Sequence, residues 1–151
     1  MMADHALGTT VITQVAIIVS DIEAKARAWA EVLGVPVPEI ITTGSYELAR
    51  TEYNGAPSEA RARLAFFQLG QVTLELIEPI GRPSTWHDQL ETHGDSLHHI
   101  AFEIKGMPEK VAFMEGKGVP LVQRGEYSGG RYAYFNGNTQ LGAVVELLEN
   151  D

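Results

Sequence analysis

The chain repeats itself. Residues 13–36, TQVAIIVSDIEAKARAWAEVLGVP, lie over residues 98–120, HHIAFEIKGMPEKVAFMEGKGVP, with Gln14 on His99 at an offset of 85 and Gly34 on Gly118 at an offset of 84. The later parts match as well: TLELIEP answers VVELLEN, which pairs Glu75 with Glu146 and Glu78 with Glu149 at an offset of 71. A recurring segment of this kind means that one supersecondary unit is used twice, so the fold has to accommodate two copies side by side.

Each copy reads as strand, helix, then several strands. VAIIV is a short β-branched run, and Ser20 followed by Glu23 predicts a capping box for the helix behind it. Ile22, Ala26, Trp29 and Leu33 then fall on one helical face, and Gly34 stands where a C-terminal cap is needed. In the second copy Pro108 suits a first helical turn, Met107, Val111 and Met114 form the stripe, and Gly118 closes it. The segments GSYELARTEY, ARLAFFQLG, QVTLELIEP, PLVQRGEYSGG and RYAYFNG are short, β-rich and punctuated by Gly and Asn, which predicts strands joined by tight turns. The expected organisation is one domain over residues 1–151, with a first module at 10–80, a polar linker at 81–95 with room for a short helix after Ser84, and a second module at 96–151.

Composition narrows the function classes. A chain of 151 residues without cysteine has no thiolate site, so any metal must be held by nitrogen and oxygen. A formal charge of -9 argues against nucleic acid or anionic membrane as partner. No apolar run approaches the roughly 20 residues that span a bilayer, and no basic-then-apolar leader opens the sequence, so the expected location is the cytoplasm.

Glu75 in TLELIE and Glu146 in VVELLE sit among apolar neighbours on strands, where a carboxylate is costly to bury unless it is paired or binds a metal. The repeat sets them in register with each other, and sets Gln14 in register with His99, so all four converge if a twofold relates the copies. SLHHIAFEI places His98 and His99 together at the head of a strand. Alternation of side chains along a strand leaves only one of them facing any given site. His5, His87 and His93 read as surface residues, and Arg61, Arg63 and Arg131 as solvated. The glycine-rich segment GEYSGGRYAYFNGNTQLG reads as a turn or as a loop that covers a substrate.

LHHIAFEI, with FFQLGQVTLELIEPIG before it and VVELLE after it, resembles the vicinal oxygen chelate superfamily over residues 13 to about 149, and within it most resembles the methylmalonyl-CoA epimerases. That resemblance implies an α+β fold of two tandem βαβββ modules forming a cupped eight-stranded mixed sheet with helices outside. It implies one divalent ion, of Co, Ni, Zn or Mn, held by Gln14, Glu75, His99 and Glu146, with His98 facing away. The implied chemistry is abstraction of a proton α to a carbonyl with a stabilised enolate, with Glu146 and Glu59 as acid and base. The implied partners are a small-molecule substrate of the acyl-CoA type and a second copy of the chain in a homodimer.

The sequence departs from the epimerase pattern at two places. The epimerases carry His at the position of Gln14, and a Gln-Gly pair where Ala60-Arg61 follows Glu59 here. Some glyoxalase I enzymes do use a Gln, Glu, His, Glu set, so a lactoylglutathione lyase or another small-metabolite metalloenzyme is a further reading. A metal-free antibiotic-binding resistance module is a third, against which two carboxylates kept in register argue.

Overall fold

β-Branched and apolar runs become strands, and stripes closed by glycine become helices, in the order the repeat sets. The computed structural model describes residues 6–151, and His5 lies outside them. The first half of the chain forms β1 (Ile12–Ile18), α1 (Ile22–Leu33), β2 (Ile41–Thr42), α2 (Tyr46–Ala49), β3 (Glu52–Tyr53), β4 (Ala56–Pro57), β5 (Arg61–Leu69) and β6 (Val72–Ile80). The other half forms α3 (Thr85–His93), β7 (Ser96–Glu103), α4 (Met107–Gly116), β8 (Leu121–Tyr127), β9 (Gly130–Phe135) and β10 (Val144–Asn150).

All strands join one curled mixed sheet in the order β2-β5-β6-β1-β7-β10-β9-β8-β3-β4. β1 runs parallel to β6 and β7 runs parallel to β10, while β1 and β7 meet antiparallel in the middle. The α+β class is as expected, but the sheet has ten strands where eight were expected. The extra pair is a hairpin, β3–β4, turned by Asn54 and Gly55 with φ of 51° and 81°. Asn-Gly is favoured for such a two-residue turn because both positions need positive φ. The hairpin adds to the edge of β8 through Glu52 and Tyr53. The segment GSYELARTEY is accordingly not one strand. Tyr-Glu-Leu-Ala makes a single helical turn, α2, ended by Arg50 at φ 49°, and only Glu52–Tyr53 pairs as a strand.

The two faces of the sheet carry different cores. α1 sets Ile22, Ala26 and Ala30 against Ala65, Phe67, Leu74 and Leu76 on the convex face, and α4 sets Met107 and Met114 against Ala133, Phe135, Val145 and Leu147. The opposite, concave face carries Ala16, Ile18, Ala62, Ile77 and Tyr134, and Trp86 of α3 packs into it. The linker region therefore does more than connect the halves. Ser84 caps α3 by accepting from His87 N at 2.9 Å, and Gln123 of β8 accepts from Thr85 N at 2.9 Å.

Glu78 and Glu149, matched by the repeat, do matching work. Glu78 accepts from Ile22 N at 2.9 Å, and Glu149 from Gly106 N at 2.7 Å and Met107 N at 3.2 Å. Each carboxylate thus satisfies backbone donors at a helix N-terminus, where negative charge is also favoured by the helix dipole. Arg63 and Arg131, expected to be solvated, hold these acids at 3.4 and 3.1 Å. Arg61 is fixed too, donating twice to the Thr43 carbonyl at 2.9 and 2.7 Å.

The cap of α1 differs from the expected capping box by one residue. Asp21, not Ser20, is the N-cap and accepts from Ala24 N at 3.1 Å, and the Ser20 backbone N–H that a capping box would offer to Glu23 is bound to Asp95 at 3.0 Å. The C-terminal cap is as expected, with Gly34 left-handed at φ 70°. Asp21→Ala should lower unfolding free energy by about 1 kcal/mol, as loss of an N-cap acceptor does, while Ser20→Ala changes it by less than half that. Chemical denaturation of both variants checks this, and equal losses would show that the cap is shared.

Candidate metal centre

The four central strands each contribute one polar side chain to the concave face: Gln14 from β1, Glu75 from β6, His99 from β7 and Glu146 from β10. Register brings them together. Glu75 lies opposite Ala16 and Glu146 opposite Ala101, while Gln14 and His99 lie opposite Ala101 and Ala16 respectively. Both alanines are 0% exposed. Their small side chains leave the space between the four polar groups open to those groups.

One donor atom from each of Glu75, His99 and Glu146 lies within 4.8 Å of the others. His99 Nε2 is 2.9 Å from Glu146 Oε1 and 3.7 Å from Glu75 Oε1. The Gln14 amide joins them and can be turned either way. Nitrogen inward, it donates to Glu146 at 2.8 Å and Glu75 at 3.1 Å. Oxygen inward, it sits 3.0 Å from His99 Nε2 and becomes a fourth acceptor in the cluster.

The carboxyl groups of Glu75 and Glu146 are 6% and 3% exposed as residues, and the contact each makes with a cationic side-chain type is with His99. Burial first, and then the charge of Glu146, lift the Glu75 carboxyl well above the usual carboxylate range. Burial pushes Glu146 up to about 8, against the opposing pull of the Tyr134 hydroxyl that hydrogen-bonds it. His99 is pushed down to about 3 by burial. The 2.9 Å contact between His99 and Glu146 has ion-pair geometry, yet burial disfavours both charges, so near neutral pH it is a hydrogen bond between neutral groups. Two buried carboxyls and a neutral imidazole, with an amide oxygen available, suit a divalent cation with nitrogen and oxygen preferences.

Tyr134 is anchored from the other side, since Trp86 Nε1 donates to its hydroxyl at 3.1 Å. A cleft of about 380 Å³ lies beside the cluster, lined by His98, His99, Gln89, His93 and Asn138 among others.

His98 breaks the alternation expected along the strand. Ala16 pairs with His99 but the next residue, Ile17, pairs with Leu97, so His98 is the extra residue of a β-bulge. Both histidines are buried, at 4% and 3% exposed, and their Nδ1 atoms are 2.7 Å apart. His98 nevertheless turns its Nε2 to Thr85 Oγ1 at 3.0 Å and away from the carboxyls. Glu59 stands apart from the cluster, exposed between buried Ser58 and Ala60. His93 is exposed and His87 half-buried beside Glu91 at 3.4 Å. Sequence reasoning missed Tyr134, Trp86 and Thr85. The aromatic alternation of RYAYF was the available signal for the first.

A curled mixed sheet of this kind is also found in known proteins. The model of the Glyoxalase/Bleomycin resistance protein/Dioxygenase superfamily matches residues 13–135. The chain belongs to this superfamily. A curated relative, the uncharacterized protein YqjC of Bacillus subtilis (strain 168), is 37% identical over 94 residues, 60% of this chain and 67% of its own. Among solved structures, a hypothetical protein from Bacillus halodurans C-125 superposes with a TM-score of 0.65 at 17% identity, covering 93% of this chain and 94% of that one. Streptomyces coelicolor methylmalonyl-CoA epimerase in complex with 2-nitronate-propionyl-CoA gives 0.63 at 22% identity, with 93% and 94% covered. The Mycobacterium tuberculosis epimerase gives 0.62 at 18%, with 97% and 91% covered. At these identities the likeness is one of fold. Among the described residues no helix is long and apolar enough to cross a membrane.

The buried acids of this superfamily member predict an inverted pH dependence for the metal-free protein. Glu146 rises from an ordinary 4.5 to about 8 on folding, so its stabilising contribution is complete below pH 4.5 and is lost as pH climbs through 8. His99 falls from 6.5 to about 3, so its effect operates only below pH 6.5. Between pH 6.5 and 8 the acids alone act, and unfolding free energy in EDTA should drop by on the order of 2 kcal/mol. Urea titrations at the two pH values test this. A flat profile in wild type, or an unchanged slope in Glu146→Gln, would contradict the assignment.

Proposed function

We propose that the chain is a divalent-metal-dependent isomerase or lyase that removes a proton from a carbon beside a carbonyl, in the manner of a methylmalonyl-CoA epimerase. The observation that carries the reading is the convergence of Gln14, Glu75, His99 and Glu146 from four adjacent strands in the buried centre of the sheet. These four residues would hold one ion of Co, Ni, Zn or Mn, a choice that follows from three oxygen donors and one imidazole. When bound, such an ion supplies Lewis acidity toward a substrate carbonyl.

The remaining chemistry belongs to the chain. The C–H bond α to the carbonyl breaks, its electron pair passes into the enolate, and the proton goes to the Glu146 carboxylate. A carboxylate placed beside the reacting carbon can both take and return a proton. Epimerisation needs another acid on the opposite face of the carbon, and Glu59, the acid retained in the preceding loop, is assigned that role. Tyr134 hydrogen-bonds Glu146 and steadies it. The substrate class is an acyl-CoA thioester, and the working form a homodimer in the cytoplasm.

Two measurements test the reading. Elemental analysis after dialysis with cobalt or zinc should find about one ion per chain, with His99→Ala losing it. Deuterium incorporation at C2 of methylmalonyl-CoA in D₂O should be faster for metal-loaded than for metal-free protein. Loss of Glu146 or Glu59 as Gln should slow it by roughly 10² to 10⁴, the contribution of a positioned proton-transfer group. No stoichiometric metal overturns the whole reading. Metal without exchange overturns the epimerase assignment and directs the same assay to methylglyoxal-glutathione hemithioacetal.

A further inference from the structure

The bulge at His98 brings a second buried imidazole against His99. Its cost is a lost rung between β1 and β7 and the burial of a ring whose two nitrogens both need partners. Both are satisfied. His98 Nδ1 lies 2.7 Å from His99 Nδ1, and His98 Nε2 lies 3.0 Å from Thr85 Oγ1. Thr85 is held in turn by α3, whose first turn is tied down by the Ser84 cap and by Gln123 on the Thr85 backbone.

Two neutral imidazoles in Nδ1 to Nδ1 contact share one hydrogen between them, so their tautomers are linked. If His99 carries its proton on Nδ1, it donates to His98, whose own proton then sits on Nε2 and is donated to Thr85. His99 Nε2 is left with a lone pair aimed at Gln14, Glu75 and Glu146. In the reverse order His98 donates from Nδ1, and the His99 proton sits on Nε2 between the carboxyls, where no cation can be coordinated by that atom. The hydroxyl of Thr85 accepts in the first order and donates in the reverse one. The α3 hydroxyl, the His98 ring and the free nitrogen of His99 are thus linked in one hydrogen-bonded chain.

We propose that His98 and Thr85 are positioning residues that hold His99 as the Nδ1–H tautomer, with Nε2 free to bind a divalent cation. The inference rests on the metal reading above and concerns a different set of side chains. Its geometry matches the general arrangement in which a ligating histidine is oriented through its other ring nitrogen. Here the orienting group is the sequence neighbour, which an unbulged strand would send to the opposite face.

The test combines ¹⁵N NMR of the imidazoles with cobalt binding. In metal-free wild type, His99 should carry its proton on Nδ1 and His98 on Nε2. His98→Phe keeps a ring and removes the acceptor, and should weaken cobalt binding by about 10- to 100-fold with a mixed His99 tautomer. His98→Asn, whose Oδ1 replaces Nδ1 as acceptor, should restore binding to within a few-fold of wild type. Thr85→Val should fall between the two. Circular dichroism and thermal melts report folding of each variant independently. Equal affinities for the Phe and Asn variants, or a His99 Nε2–H tautomer in metal-free wild type, overturn the proposal. If wild type binds no cobalt at all, the metal reading fails, and the wild-type tautomers still decide whether His98 and Thr85 set the His99 ring.

Discussion

Two carboxyl groups buried side by side at the centre of a sheet are the constraint to which the rest of the structure answers. Among the described residues, neither Glu75 nor Glu146 has an arginine or lysine paired with it, and each sits on a strand whose flanking residues are apolar. Burial of that kind is tolerated when the groups stay protonated, are hydrogen-bonded, or are compensated by a cation. The protein supplies hydrogen bonds from every direction: Gln14 across the seam, Tyr134 from the neighbouring strand, His99 from the strand between. Ala16 and Ala101 keep the middle narrow in side chain and wide in space. Trp86 then closes the concave face and fixes Tyr134.

The same repeat produces another pair of acids with an unrelated job, and strand geometry explains the division. Glu78 follows Glu75 by three residues and Glu149 follows Glu146 by three. An odd step along a strand changes face. Glu75 and Glu146 therefore point into the concave side, whereas Glu78 and Glu149 point out to the helices, where they accept from the N-terminal backbone of α1 and α4. One duplicated sequence motif thus docks the helices and builds the site, using only the pleat to tell the two functions apart.

Much of this architecture was legible in the chain. The repeat alone paired Gln14 with His99 and Glu75 with Glu146, and the fold class, the apolar face of α1 and the glycine cap at Gly34 followed from spacing and resemblance. What was not legible depends on contacts remote in sequence. The Ser20–Glu23 box failed because the helix starts one residue later, capped by Asp21, while Asp95, 75 residues away, takes the Ser20 backbone donor. The strand read over residues 44–53 failed because a four-residue helix-forming stretch and the start of an Asn-Gly hairpin both fall there. Alternation at His98 failed because a bulge shows only when two strands are laid against each other. Trp86 gave no periodic signal, and the alternation in RYAYF put Tyr134 on a strand face without tying it to the acids, since Tyr134 reaches the site across a strand pair and Trp86 from the linker helix.

At its margins the sheet is built differently from its centre. β2 and β4, the outermost strands, are two residues long, and β4 contains Pro57, which has no N–H to offer. Short, proline-bearing margins present little unpaired backbone to a passing strand. A sheet that ended in full-length β5 and β8 would display long rows of free donors and acceptors on both sides. Here the tips are blunted, so the sheet can be wide enough to hold four inward-facing groups at its centre while remaining a poor template for fibrous growth.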